Sequence, residues 1–348
     1  MTDALWHVAQ PGRGAGRGSL NTGRGRRPWR RVLATVAVAA VAMTAAACGG
    51  CGPGRPARPA GPEKPDLVVA VVPAEANAGL YIARARGLFT KVGLHVTIKP
   101  VVSAAAVIPS MLRGAVDVDG GGYVTYIAAD AAGITKMRIL ASGFALGPHV
   151  NEIITKASAR IRTLGDLKGK TIAVNQLGGV GADLVYSALA SYGISPAQVH
   201  LAAMAFPEMP AALAAGKIAA AYETEPFVTE AVKEYGFQEL ADLDSGSTGD
   251  FPLTGYAALV SWVARYPRTA AAFTRAIEQG NAIASTSLAV LQQVLAGDLR
   301  LSPNIASVMA TGTFPTSANP VQIQRAADLM LQYGQLKQRF DVKPLVEG

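Results

Sequence analysis

From Asp66 onward, apolar residues alternate between short continuous runs and longer stretches with helical spacing. Residues 67–72 form a β-branched run that predicts a strand buried on both faces. A helical stretch follows, with Asn77 placed to cap it and Gly87 to end it after Arg86. Residues 95–99 predict a second strand, and Ser103 caps a helix that runs to Arg113 and stops at Gly114. The strand at 116–118 leads into Gly120-Gly121-Gly122, then a helix over 123–132 and a strand over 137–142. A second series repeats the pattern, with strands at 171–174, 199–203 and 218–222 and helices at 179–192, 207–215 and 225–235. Residues 253–263 read as extended, and the rest is mostly helical.

Strands alternating with helices predict an α/β fold, with mostly parallel sheets covered on both faces. Ligands in such sheets bind beyond the carboxyl ends of the strands, at helix N-termini. That rule puts the segments 73–77, 100–103, 120–123, 175–181 and 223–226 on the binding side.

The stretch before this body has a different pattern. Residues 32–47 are uncharged and mostly Ala and Val, but they fall short of the ~20 residues of a membrane span. A basic, Gly-rich segment precedes them and small residues end them, which reads as an export signal over 1–47. Ala45-Ala46-Ala47-Cys48-Gly49-Gly50 resembles the lipobox of bacterial lipoproteins, which implies that Cys48 becomes the lipid-modified N-terminus. Arg30-Arg31-Val32-Leu33 also resembles a twin-arginine signal, so both export routes stay open. The rival reading of Cys48-Gly-Gly-Cys51 is a redox or zinc CxxC, for which the sequence offers no second ligand pair. Residues 48–65 are rich in Pro and Gly and predict a flexible tether.

Charge follows the same division. The chain has 32 Lys and Arg against 24 Asp and Glu, a net of +8. Seven Arg and one Asp lie in 1–47, so residues 48–348 keep 25 basic and 23 acidic groups, a net of +2. A nearly neutral body gives no electrostatic case for nucleic-acid binding. The body after Cys51 has no cysteine, and its histidines, His95, His149 and His200, have no second His or Cys at ligand spacing, so neither a metal nor a cofactor is expected.

Four ordered stretches resemble one family. They are 80–94 (LYIARARGLFTKVGL), 112–118 (LRGAVDV) running on through Asp119 into the glycine triplet, 163–174 (TLGDLKGKTIAV), and 207–221 (PEMPAALAAGKIAAA) followed by Glu225-Pro226. Together they resemble the substrate-binding proteins for nitrate, sulfonate, taurine and thiamine-pyrimidine precursors, which have the type 2 periplasmic-binding-protein fold. The resemblance covers 66–348. It implies two α/β lobes joined by two hinge strands near 151–155 and 253–260, with lobe 1 as 66–153 plus 256–348 and lobe 2 as 154–255. It also implies a monomer that takes a small-molecule solute and delivers it to an ABC importer permease, with the lipid anchor holding it to the membrane outside the cytoplasm.

The candidate ligand-binding residues come from the loops on the binding side. Asn175, Gly178 and Gly179 open a helix, where bare backbone N–H groups favour an anionic group. The spacing rules out a nucleotide loop, because Leu184 stands where a dinucleotide fingerprint needs Gly and no Gly-Lys-Ser/Thr follows. Gly121, Gly122 and Tyr123 are the matching element in the first half, with Tyr123 as a pocket wall; close strand–helix packing is the alternative. Asn77 and Ser103 are candidates both as caps and as donors. Glu223 and Glu225 share a face if that segment is extended, and would favour a basic ligand group; helix-start acids are the alternative. An acidic and a basic demand together suit an aminosulfonate or a substituted pyrimidine.

No catalytic residue is assigned. The body lacks the cysteine-rich motif of the eukaryotic pyrimidine synthase in the same family, and has no Gly-x-Ser-x-Gly or His-Glu-x-x-His. That enzyme class, and a sensor docking on a membrane receptor, are the two alternatives to a transport binder.

Overall fold

The computed structural model describes residues 61–347. The export-signal reading of 1–47, Cys48 and most of the tether fall outside the described residues. The end of the tether does not behave as expected. Glu63 accepts the backbone N–H groups of Arg268 and Thr269 at 3.1 and 2.8 Å, and Lys64 pairs with Asp117. Residues 61–65 are therefore pinned to the body by partners 53 and more than 200 positions away, which composition does not reveal.

Ten strands and thirteen helices make up the described residues. The strands are β1 (Asp66–Val71), β2 (His95–Pro100), β3 (Val118–Gly122), β4 (Met137–Ala145), β5 (Asn151–Thr155), β6 (Thr171–Val174), β7 (His200–Ala203), β8 (Ala220–Thr224), β9 (Gln238–Asp242) and β10 (Pro252–Leu259). Helices α1 (Ala78–Ala85), α2 (Leu88–Lys91), α3 (Ile108–Leu112) and α4 (Tyr123–Ala131) belong to the first half. Helices α5 (Val180–Ala190), α6 (Met209–Ala214) and α7 (Phe227–Tyr235) belong to the second. The tail carries α8 (Val260–Arg265), α9 (Pro267–Thr286), α10 (Leu288–Asp298), α11 (Pro303–Ala306), α12 (Pro320–Gln332) and α13 (Lys343–Glu347). No helix among the described residues is long and apolar enough to cross a membrane.

The strands form two five-stranded sheets, ordered β2-β1-β3-β10-β4 and β7-β6-β8-β5-β9. The two orders are equivalent. Each sheet has a parallel run of three strands, then one antiparallel strand delivered by the other half of the chain, then an edge strand. This is a two-lobed α/β fold in which four strands of each sheet run one way.

The chain passes between sheets at 146–150 and at 243–251. Both crossings lie a few residues before the strands expected to carry them, because β5 and β10 pair wholly within one sheet. The resemblance implied hinges near those strands, but their backbone groups are used up in ladders.

Three local expectations change for physical reasons. The glycine triplet ends β3 as paired strand and is not a loop, with Gly120 opposite Val71 on one side and Tyr256 on the other. A Cβ on Gly120 would meet those two side chains at 2.8 Å, so only glycine lets the strand sit there. The helix expected from Ser103 breaks into a 3-10 turn over 104–106 and α3, with Pro109 in the first turn of α3, the one place where its missing N–H costs little. The extended run expected to 263 ends at Leu259, where α8 begins.

Glycine terminates elements where the sequence pattern placed it. Gly87 and Gly114 follow α1 and α3 with φ of 65° and 72°, a left-handed conformation that side chains disfavour.

Candidate functional site

Strands β1 and β3 from one sheet and β6 and β8 from the other point their carboxyl ends at a shared cavity. The antiparallel β10 contributes its first residues, Leu253 and Thr254. The space is about 80 Å³. One water needs roughly 10–15 Å³ on this measure, so the cavity suits a solute of about half a dozen non-hydrogen atoms.

The lining carries no formal charge. Its polar side chains are Asn77, Thr125, Asn175, Gln176, Tyr222, Thr224 and Thr254, and its apolar walls include Val72, Val180 and Phe206. Two helices begin at the cavity, α4 after Gly122 and α5 after Gly179, and neither glycine can cap its helix with a side chain. The first-turn N–H groups of both are thus left without a side-chain acceptor, and each helix adds partial positive charge at its start.

Five of the residues singled out from the sequence line this cavity: Asn77, Gly121, Gly122, Asn175 and Gly179. Asn77 takes the position before α1 without capping it, since its Nδ2 donates to the Val72 carbonyl at 2.9 Å. The backbone N–H of Gly121 is already used, donating to the Tyr126 hydroxyl at 2.6 Å. Tyr126 also reaches the carbonyls of Asp119 and Gly255 at 2.8 and 3.0 Å, which ties β3 to β10 beneath the cavity floor.

The other five lie elsewhere. Ser103 makes no cap bond, and its neighbour Ala104 faces the cavity in its place. Gly178 has φ of 67° and turns the chain into α5 without lining the space. Tyr123 is not a wall: it is fully buried, its hydroxyl 2.9 Å from Ser142 Oγ, and burial pushes its pKa up to about 12. Strand alternation sends Tyr222 and Thr224 into the cavity, while Glu223 is fully buried outside its lining. Burial raises the Glu223 carboxyl well above the usual range, with the charge of Glu230 adding to it.

Glu225 is likewise outside the lining. It accepts Thr229 Oγ1 at 2.7 Å and the backbone N–H groups of Thr229 and Ala310 at 3.2 and 3.0 Å. Burial raises its pKa to about 7 against those hydrogen bonds.

Several lining residues were not singled out from the sequence as ligand contacts. Gln176 adjoins a named candidate, yet its role depends on the other half of the chain. Its Oε1 accepts the Ala105 backbone N–H at 3.4 Å across the cavity mouth. Phe206 stacks on Phe227, centroids 5.1 Å apart and planes at 19°, and reaches the site only through that packing. Further contacts join the halves at the back, where Gln335 reaches Asp183 and Tyr333 lies 5.9 Å from Tyr186. The halves are closed upon one another.

A family model described as NMT1/THI5 like matches residues 75–286, more than half of the chain. No curated protein matches. Among solved structures, the alkanesulfonate-binding protein SsuA from Xanthomonas axonopodis pv. citri, bound to MOPS, superposes with a TM-score of 0.68 at 21% identity, covering 82% of this chain and 98% of that one. The periplasmic nitrate-binding protein NrtA from Synechocystis PCC 6803 gives 0.71 at 15% identity, covering 82% and 86%. The desulfurization enzyme DSZB gives 0.61 at 13% identity, covering 82% and 96%. At these identities the likeness is one of fold.

Proposed function

The chain belongs to the NMT1/THI5-like family, and from that premise we propose that it is an extracytoplasmic solute-binding lipoprotein of an ABC importer. It captures a small polar solute between its two lobes and hands it to a permease. The observation that carries this reading is the cavity itself, enclosed by both sheets, neutral in its lining and met by two glycine-started helices. Such a site holds an anionic group with backbone N–H and amide donors and without a counter-ion. Closure around the solute and release by opening would follow from the two crossings.

The neutral lining narrows the solute. With Glu223 and Glu225 outside the cavity, an ammonium group would enter without a carboxylate to receive it. Burying an unpaired charge is costly. A short alkanesulfonate or a nitrate-like anion therefore fits better than an aminosulfonate or a cationic pyrimidine. In the same reading Cys48 carries the lipid, and the chain works as a monomer on the outer side of the cell membrane.

Support for binding over catalysis comes from the lining, which presents no carboxylate, imidazole, thiol or amine within reach of a bound solute. The test is thermal-shift screening against ethanesulfonate, taurine, nitrate and aminopyrimidines, since a ligand of the folded state raises the melting temperature. The expected order places ethanesulfonate or nitrate above taurine. Turnover of any of these without added partners would overturn the binder reading.

A further inference from the structure

Outside the cavity lining, at the root of both crossings, three metal-ligating side chains converge. His149 lies one residue before the end of the first crossing, Glu152 is the second residue of β5, and Asp242 is the last residue of β9. One ligand atom from each lies within 4.8 Å of the others. The His149 Nδ1 is 2.8 Å from Glu152 Oε1. Ligands at 2.0–2.2 Å from a zinc ion sit no more than about 4 Å apart, so closing on an ion needs movements below about 1 Å.

Sheet register fixes the two carboxylates. Glu152 and Asp242 are direct partners on neighbouring antiparallel strands, so their side chains leave the same face side by side. Like charges placed opposite each other destabilise a sheet. Neither carboxylate has a Lys or Arg within salt-bridge distance among the described residues, and Glu239 adds a further negative charge nearby. Glu152 is only 1% exposed, and His149 is its one hydrogen-bond partner among the described residues, leaving its second oxygen free.

Asp242 is already oriented for ligation. Its Oδ1 accepts the backbone N–H groups of His149 at 3.3 Å and Asp244 at 2.9 Å, which fixes the carboxylate and leaves Oδ2 without a hydrogen-bond donor among the described residues. The His149 side chain is 63% exposed, so water has access to the remaining coordination positions.

We propose that His149, Glu152 and Asp242 form a binding site for a divalent transition-metal ion. One imidazole and two carboxylates with an open side suit zinc, manganese or nickel, whereas an all-oxygen set would suit calcium. An ion there would join the end of one crossing to the start of the other and fix the anchorage of both on the second sheet. The site is separate from the solute cavity and stands whether or not the proposed transport role holds.

The test is zinc titration by calorimetry on the full chain carrying Cys48→Ser and Cys51→Ser, so that thiols contribute nothing. One equivalent should bind, and zinc should raise the melting temperature. His149→Asn removes the imidazole yet tolerates the left-handed backbone at that position, where φ is 63°. Glu152→Gln removes the buried charge. Each should weaken zinc by at least about tenfold, with metal-free circular dichroism unchanged. Zinc binding of equal strength in both variants, or none at millimolar zinc in the parent, overturns the proposal. Calcium binding that survives His149→Asn at parental strength overturns the transition-metal assignment.

Discussion

Glu75 and Glu225 meet across the two halves: the Glu75 backbone N–H donates to the Glu225 carbonyl at 3.5 Å, and the side chains are 1% and 2% exposed. Neither Glu75 oxygen has a side-chain partner among the described residues, and its pKa is raised first by burial and then by the charge of Glu225. Glu225 itself is raised to about 7, mainly by burial. Both acids therefore keep their protons to a higher pH in the folded chain than in the unfolded one.

Stability should consequently fall as pH rises. A carboxyl whose folded pKa lies above its unfolded value of 4.5 contributes its full stabilisation below 4.5 and loses it as pH passes through the folded pKa near 7. Urea midpoints measured from pH 4.5 to 7.5 should drop across that window, by on the order of 2 kcal/mol in stability. Glu75→Gln should shrink the drop and be more stable than the parent at pH 7.5. An unchanged pH profile in that variant would mean that this pair does not control the slope.

The glycines of β3 differ in what they tolerate. A Cβ on Gly121 would meet Ala104 Cβ at 2.5 Å and Asp119 Oδ2 at 2.9 Å, whereas one on Gly122 meets nothing closer than 3.7 Å. Gly121→Ala should cost about 1–3 kcal/mol of stability through overpacking. Gly122→Ala should melt like the parent but lose solute affinity, because its methyl group enters the cavity beside Val180. Melting curves paired with calorimetric titration separate the two effects.

Gln176→Ala removes the one hydrogen bond at the cavity mouth between Ala105 and the opposite half. A hydrogen bond of about 1 kcal/mol corresponds to roughly fivefold in affinity. The loss should appear as faster solute release, with association little changed. Stopped-flow fluorescence would read both rates.

Glu223→Gln tests the correction to the expected carboxylate contact. The residue is fully buried, outside the cavity lining, and neither of its oxygens has a hydrogen-bond partner among the described residues. The amide should leave solute affinity within about twofold while raising the melting temperature at pH 7.5, where the acid pays for desolvation. A large loss of binding would return Glu223 to the site.

Much of the architecture was legible because it depends on short-range patterns. The apolar run at β6 needs only neighbouring residues, and the structure has a strand where the sequence put it. A glycine just past a helix, such as Gly87 after α1, is another such local requirement. Asn175 and Gly179 were also legible as cavity residues, since a strand running into a glycine-started helix brings its own residues to the carboxyl end of the sheet.

Other features required the folded chain. Tyr123 and Glu223 have residue types suited to ligand contact, but strand phase and helix rotation turned them away from the cavity, and a shift of one position decides which face a strand residue takes. Phe206 entered the lining through stacking on Phe227, and Gln176 reached Ala105 only once the halves had closed. His149 and Asp242 stand 93 positions apart, and antiparallel pairing of β5 with β9 set the acid beside the imidazole.

By itself the sequence determined the alternation of strands and helices, the places where glycine ends them, and the neutral body behind a basic leader. Each of these follows from local sterics, periodicity and charge. Only the tertiary structure decided which side chains face the cavity, which acids are buried without counter-ions, and which residues meet at the crossings. The reason is that burial and proximity between distant segments are properties of the sheet order and register, and neither is written in any short stretch of chain.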